Sequence, residues 1–238
     1  MSKHKLSARD IVLSYGIYIA FVIICIVFAM LSPDFFSLSN IHNILIQTSA
    51  IAIVAIGQTL VILTGGIDIS VGRLMGMSGI LIGVFASKGM GLTGVAVIGV
   101  ACGVVVGFVN GYLIGYVRIP AFIATLGTQG VCYGISLIIS QGMPFSSFPQ
   151  NFDWMGTAKV GGISFLLLFT IILYILFWIF STKTKTGRYI YSIGGNREAV
   201  RLSGINTAKY EMIAYVICGF LAGVGGLMMT SRLNFASP

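Results

Sequence analysis

Asp68 and Glu198 are the acidic side chains whose settings point to a role. Asp68 stands in TGGIDISVG, residues 64–72, where paired glycines, an acid and a hydroxyl interrupt an otherwise apolar run to Ala86. The backbone must break there, and its freed polar groups must face protein or water. Two readings are open: a turn at the inner surface, with Asp68 or Ser70 capping the next helix, or a discontinuous helix near the midplane that lines a cavity. Caps are common and midplane acids are rare, which favours the turn. Arg73, close behind, is placed either to pair with Asp68 or to snorkel to the inner surface. Gln58, Asn110, Thr125, Thr128 and Gln129 are polar residues in apolar runs, and together with Gly65, Gly66, Asp68, Ser70 and Arg73 they are the candidates for a translocation path or gate. For Gln58 the plainer reading is an interhelical hydrogen bond.

Glu198 lies in a different setting. From Ser181 to Lys209 the chain gathers Lys183, Lys185, Arg188, Arg197, Arg201 and Lys209 against this single acid. Basic residues in short loops resist translocation, so this segment is expected on the cytoplasmic side. Within it, Asn196 can cap a helix, Glu198 sits where the helix dipole favours an acid, and Gly204 can end the helix in a left-handed conformation. The expected product is a helix of about two turns. With few apolar residues (Ala199, Val200, Leu202) it is too short to be stable alone and needs a docking surface.

Other chemistry has little support. No Gly-Lys pair occurs, so no Walker loop exists to cradle nucleotide phosphates, and neither H-E-x-x-H nor G-x-S-x-G is present. The six acids are dispersed and form no obvious carboxylate pair. Cys25, Cys102, Cys132 and Cys218 lie in apolar stretches without a C-x-x-C pair, and read as packing residues rather than as disulfides or zinc ligands. The net charge of +8 is concentrated in the N-terminus and the basic segment, as an inside-positive bias predicts, and does not indicate nucleic-acid binding.

The elements that must hold these residues are membrane spans. Hydrophobic residues make up 57% of the chain and charged residues 8%, against about a quarter charged in soluble domains. At about 20 residues per crossing, the chain accommodates roughly seven spans in one all-α bundle. They are read as 11–31, 44–63, 71–87, 92–117, 121–140, 163–180 and 213–230, with the N-terminus cytoplasmic behind Lys3, Lys5 and Arg9. Six crossings then separate two basic regions on the same side. Gly99, Gly103, Gly107, Gly111 and Gly115 form a four-residue ladder on one helix face, which lets another backbone approach closely and places that helix in the core. Residues 141–162 are the longest outer loop, with Phe145, Phe148, Phe152 and Trp154 expected as interfacial anchors.

TGGIDISVG (64–72), NGYLIGYVRIPAFIATLGT (110–128), GRYIYSIGGNREAVRLSGIN (187–206) and the segment ending at SRLNFASP (231–238) together resemble the permease subunits of bacterial ribose-type ABC sugar importers. Glu198, Ala199 and Gly204 are similar to a degenerate E-A-A-x-x-x-G loop, by which such permeases contact their ATPase. The resemblance implies one permease domain over residues 1–238, with 182–209 as a cytoplasmic coupling loop in which Asn196, Arg197, Glu198, Ala199, Arg201 and Gly204 make the contact. It further implies a multi-pass protein of the cytoplasmic membrane that pairs with a second permease subunit as a homodimer. A monosaccharide would come from a periplasmic or lipid-anchored binding protein, and the drive from cytoplasmic ATPases that hold the ATP and magnesium, with no cofactor on this chain. The family usually has a small polar residue where Arg73 stands. Similar proteins continue into further spans, so the chain is expected to be a C-terminally incomplete fragment. A channel lined by the glycine ladder and Asp68, or a membrane scaffold, is the alternative.

Overall fold

A computed structural model describes residues 8–146 and 148–238, with side chains from Tyr15 onward. Lys3, Lys5 and the side chain of Arg9, on which the basic N-terminal reading rests, lie outside the described residues.

The chain divides into two compact units, Met1–Leu45 and Ile46–Pro238. The first holds α1 (Ala8–Leu31) and the beginning of α2 (Leu38–Leu63). Phe28 stacks on Phe35 at 5.8 Å between ring centroids, and the Asn40 side chain donates to the Phe35 carbonyl at 2.7 Å. The Ser37 hydroxyl accepts the Asn40 N–H, so α2 starts at a serine cap six residues earlier than the apolar run suggests.

The second unit contains the rest of α2, then α3 (Val71–Ser87), α4 (Leu92–Gly115), α5 (Ala121–Ser140), α6 (Trp154–Thr157), a short hairpin of β1 (Lys159–Val160) and β2 (Ile163–Ser164), α7 (Phe165–Lys183), α8 (Lys185–Leu202) and α9 (Thr207–Leu233). α2, α4, α5, α7 and α9 are each long and apolar enough to cross a membrane, while the apolar stretches Tyr15–Leu31 and Val71–Ser87 are shorter. The protein is a helical membrane bundle. The seven apolar segments expected from the sequence correspond to α1, α2, α3, α4, α5, α7 and α9, with boundaries that differ by a few residues.

α9 is the centre of the second unit. Tyr215, Cys218, Leu221 and Ala222 are fully buried along it. The ladder on α4 faces this helix: a Cβ at Gly103 would overlap the Gly219 carbonyl oxygen, one at Gly107 the Tyr215 carbonyl, and one at Gly115 would come 2.7 Å from that of Ala208. Reciprocally, a Cβ at Gly219 would overlap the Gly103 carbonyl oxygen and one at Gly223 would come to 3.0 Å from the Gly99 and Val100 backbone, so the two helices meet backbone to backbone. α3 packs on the same pair, where the buried Ser78 hydroxyl donates to the Gly99 carbonyl at 3.0 Å. Cys132 and Cys218 are buried and Cys25 and Cys102 half-buried, all as free thiols.

The outer loop differs from its expected role. Phe145 pairs with Ala236 through two backbone hydrogen bonds of 2.8 and 2.9 Å, and Phe152 is buried and stacked on Phe148 at 4.7 Å. The Ser231 hydroxyl donates to the Phe152 carbonyl and accepts the Gly156 N–H. Of the four aromatics only Trp154 is exposed. Phe145 pairs with the backbone edge that the residues after α9 offer, and Phe152 packs on Ile82, Val95 and Leu227, so these two belong to the protein interior, while Trp154 alone keeps the exposure of an anchor.

Candidate functional site

Two sites emerge, one at each interruption that the sequence singles out. The first is the segment between α2 and α3. α2 ends at Leu63, Gly65 turns with φ +81°, and residues 66–70 run back without regular structure alongside the helix they left. The chain therefore re-enters the protein. Gln58, five residues before the end of α2, meets the backbone of Asp68: with its amide oriented to match, it donates to the Asp68 carbonyl and accepts the Asp68 N–H, both at 3.2 Å. Such a pair replaces the ladder that an extended segment lacks.

The Asp68 side chain accepts the Ser70 N–H at 2.9 Å and the Ser70 hydroxyl at 2.6 Å. The Ser70 oxygen in turn accepts from Asn110 of α4 at 3.1 Å. Asp68 is 2% exposed, and Ser70 and Asn110 are fully buried. Thr125 of α5 donates to the Ala121 carbonyl at 2.8 Å and reaches Ile67 at 3.4 Å. Gly66 lies against the Tyr215 hydroxyl, which, like Asn110 Oδ1, has no hydrogen-bond partner among the described residues. Gln58, Gly65, Gly66, Asp68, Ser70, Asn110 and Thr125 are thus brought together, with polar side chains from α2, α4 and α5 bonded to the segment.

Both detailed readings of Asp68 are corrected. It does not cap α3, whose N-cap residue Ser70 makes no side-chain cap bond; it closes an Asx-type turn on the Ser70 N–H, two residues on, in the irregular segment before the helix. Nor does it pair with Arg73. That side chain is exposed and its guanidinium lies over the Tyr133 ring, 4.1 Å from the centroid, since Gly72 and Arg73 leave the buried segment for the outside face of α3. Thr128 bonds back to the Thr125 carbonyl, Gln129 is half-buried on α5, and among the described residues no hydrogen bond joins either to Asp68.

The second site is the basic segment, of which more is helical than expected. α8 spans Lys185–Leu202 with one break at Asn196 (φ −158°, ψ 95°). Its first part is an additional helix. Ile190 packs against Leu60 and Ala214, Ile193 is buried as well, and Gly194 sits on the Leu63 carbonyl at the end of α2. After the break, Asn196 Oδ1 accepts the Ala199 N–H at 2.9 Å, the expected cap. The helix stops at Gly204, φ +80°, with the Gly204 N–H bonded to the Arg201 carbonyl and the Ile205 N–H to that of Val200. This doubled closure is the Schellman pattern, and it needs the left-handed conformation that glycine supplies freely.

Between cap and stop, Val200 alone is buried, while Glu198, Ala199, Arg201, Leu202 and Ser203 point outward. Glu198 and Arg201 form an exposed bidentate pair, and the Arg201 hydrogen bond holds the Glu198 carboxyl below its ordinary value of 4.5. Arg197 binds Glu211 of α9 at 2.6 and 2.8 Å. This link was missed from the sequence because Glu211 lies just beyond the basic run. Its signal was an acid within the first two turns of a span facing an unpaired arginine.

A family model described as "Branched-chain amino acid transport system / permease component" matches residues 40–238. The ribose import permease of Escherichia coli (strain K12) is 37% identical over 228 residues, 92% of this chain and 70% of the relative. The D-allose transport system permease of the same strain is 34% identical over 226 residues, 94% of this chain and 69% of the relative. The galactose/methyl galactoside import permease of Haemophilus influenzae (strain ATCC 51907 / DSM 11121 / KW20 / Rd) is 32% identical over 252 residues, 98% of this chain and 75% of the relative. No solved structure matches the chain. A buried re-entrant segment, a glycine-packed core and a capped exposed helix, together with this match over most of the chain, make it a multi-pass transport subunit of the inner membrane, and it belongs to this permease family.

Proposed function

We propose that the chain is the transmembrane permease of an ATP-driven sugar importer, with a ribose-like monosaccharide as its substrate. The observation that carries the reading is the helix between Asn196 and Gly204. It is capped at one end, stopped at the other, turned outward along Glu198, Ala199, Arg201 and Leu202, and tied to the core by Arg197 and Glu211. Such a helix is built to receive force from a cytoplasmic protein and pass it to α9, the most buried span. A cytoplasmic ATPase is the partner that fits, with ATP and magnesium bound there. The relatives carry ribose, allose or galactosides by name, which supports a sugar. A second permease subunit, as a homodimer, and an external sugar-binding protein complete the assembly. The closed network around Asp68 acts as the gate. A channel reading is less favoured, since Asp68, Ser70 and Asn110 are buried and bonded rather than lining an open path.

Deletion of the gene should abolish energy-dependent uptake of one member of a panel of pentoses and hexoses. In the same strain, complementation with Gly204→Val should fail to restore uptake and should weaken copurification of the ATPase. A side chain at φ +80° costs about 1–2 kcal/mol or more, while no span is altered and membrane insertion is retained. Normal uptake with the ATPase still bound would remove the coupling role.

A further inference from the structure

α2, α7 and α8 enclose a groove of about 640 Å³ that takes no part in either site. Its walls include Ile56, Leu60, Phe177 and Trp178, and its mouth Arg188, Tyr191 and Ser192. It begins at the basic end of α7 and reaches inward along α2 to Ile56, about 10 Å from Leu63 at the helical rise. Trp178 and Tyr191 are 62% and 68% exposed, so large amphipathic rings stand open at this edge. Among the described residues, Arg197 and Arg201 are the basic side chains of the segment with acid partners; Lys183, Lys185 and Arg188 have none. Arg188 Nη1 donates to the Lys183 carbonyl at 3.3 Å, which fixes the guanidinium over the end of α7 and leaves donors free.

We propose that this groove binds an anionic phospholipid of the cytoplasmic leaflet, with the phosphate at Arg188 and an acyl chain lying between α2 and α7. The assignment rests on the reading that the Ser181–Lys209 segment is cytoplasmic, the leaflet surface at which basic juxtamembrane groups attract anionic headgroups. Charge and shape agree: a cation at the mouth, aromatic rings at headgroup depth and an apolar interior suit one amphipathic anion. A sugar would leave its hydroxyls unpaired against Ile56 and Phe177.

The chain has two tryptophans, so Trp154→Phe leaves Trp178 as the single reporter. Reconstituted in bilayers of phosphatidylethanolamine and phosphatidylglycerol, with one or the other carrying brominated acyl chains, this variant should show stronger quenching by brominated phosphatidylglycerol. The expected preference is about fivefold in relative affinity, the factor for one basic side chain near the surface. Arg188→Gln should reduce it to parity, and Arg188→Lys should keep most of it. Equal quenching by both lipids before the substitution would overturn the proposal. So would an absence of quenching by either, which would mean that protein covers the groove. A preference insensitive to Arg188→Gln would overturn it too. Sugar uptake and impermeant labelling at Ser203 test function and sidedness separately, so failure of those readings is distinguishable from failure of this one.

Discussion

At Asp68 a buried carboxylate is stabilised by neighbours close in sequence and one that is distant. Its partners are the Ser70 N–H and hydroxyl, and Asn110 supports the hydroxyl from 40 residues away. Asp68→Asn keeps an acceptor but removes the charge and adds a buried amide NH2 that needs partners of its own. A hydrogen bond to a charged group contributes about 1.5–3 kcal/mol, so the substitution should lower transport about tenfold or more in the assembled importer, measured as initial uptake at equal protein level. Arg73→Ser should not rescue it, because Arg73 lies on Tyr133 instead. Rescue would reveal a second state in which the two charges meet. The residue types here were legible: Gln58, Asp68, Ser70, Asn110 and Thr125 stood out as polar groups in apolar runs. Their pairing was not, since a single sequence does not say which amide faces which carbonyl. The Asp68 and Arg73 pairing failed for that reason, as a residue in the irregular segment before a helix need not share a face with one five positions on, inside the helix.

At the level of elements, the five-glycine ladder specified both its own burial and the closeness of its partner. Gly107→Leu would drive a branched side chain into the Tyr215 carbonyl and the Val216 backbone, and overpacking of this kind costs about 1–3 kcal/mol, more where only backbone can yield. Thermal unfolding in detergent should fall by several degrees, or the protein should be lost from the membrane. Gly127→Leu is the control, because a Cβ there meets nothing within 4 Å, and its melting temperature should stay near that of the parent. Equal losses from both would place the effect in helix insertion rather than packing. α4 was legible because its spacing is local and periodic. The first part of α8 was not: Lys185 to Gly195 has little apolar pattern, and its helix is held by Ile190 on Leu60 and Ala214, residues far away in the chain. The outer loop was misread on similar grounds. Aromatic composition alone does not distinguish a membrane anchor from Phe152 buried against Ile82, Val95 and Leu227.

Across the whole molecule, a single helix separates the two surfaces that matter most. α7 runs from the β1–β2 hairpin to the basic segment in 19 residues, about 28 Å at the helical rise, close to the hydrocarbon thickness of a bilayer. Lys159 and Ser203 are exposed on either side of it. If the inside-positive bias sets the orientation, Lys159 is external and Ser203 cytoplasmic, despite the lysine on the hairpin, because the segment from Lys183 to Lys209 outweighs it. With the four native cysteines replaced, Lys159→Cys should react with an impermeant thiol reagent in intact spheroplasts, and Ser203→Cys should react only after the membrane is opened. The opposite pattern would invert the topology and put the Asn196 to Gly204 helix out of reach of any cytoplasmic ATPase. Reaction of both from outside would mean that α7 does not cross at all, which its exposed apolar length argues against: in water, Ile171, Ile172, Ile175, Leu176 and Ile179 would stand uncovered along its surface, and only lipid or another apolar partner can cover such a face.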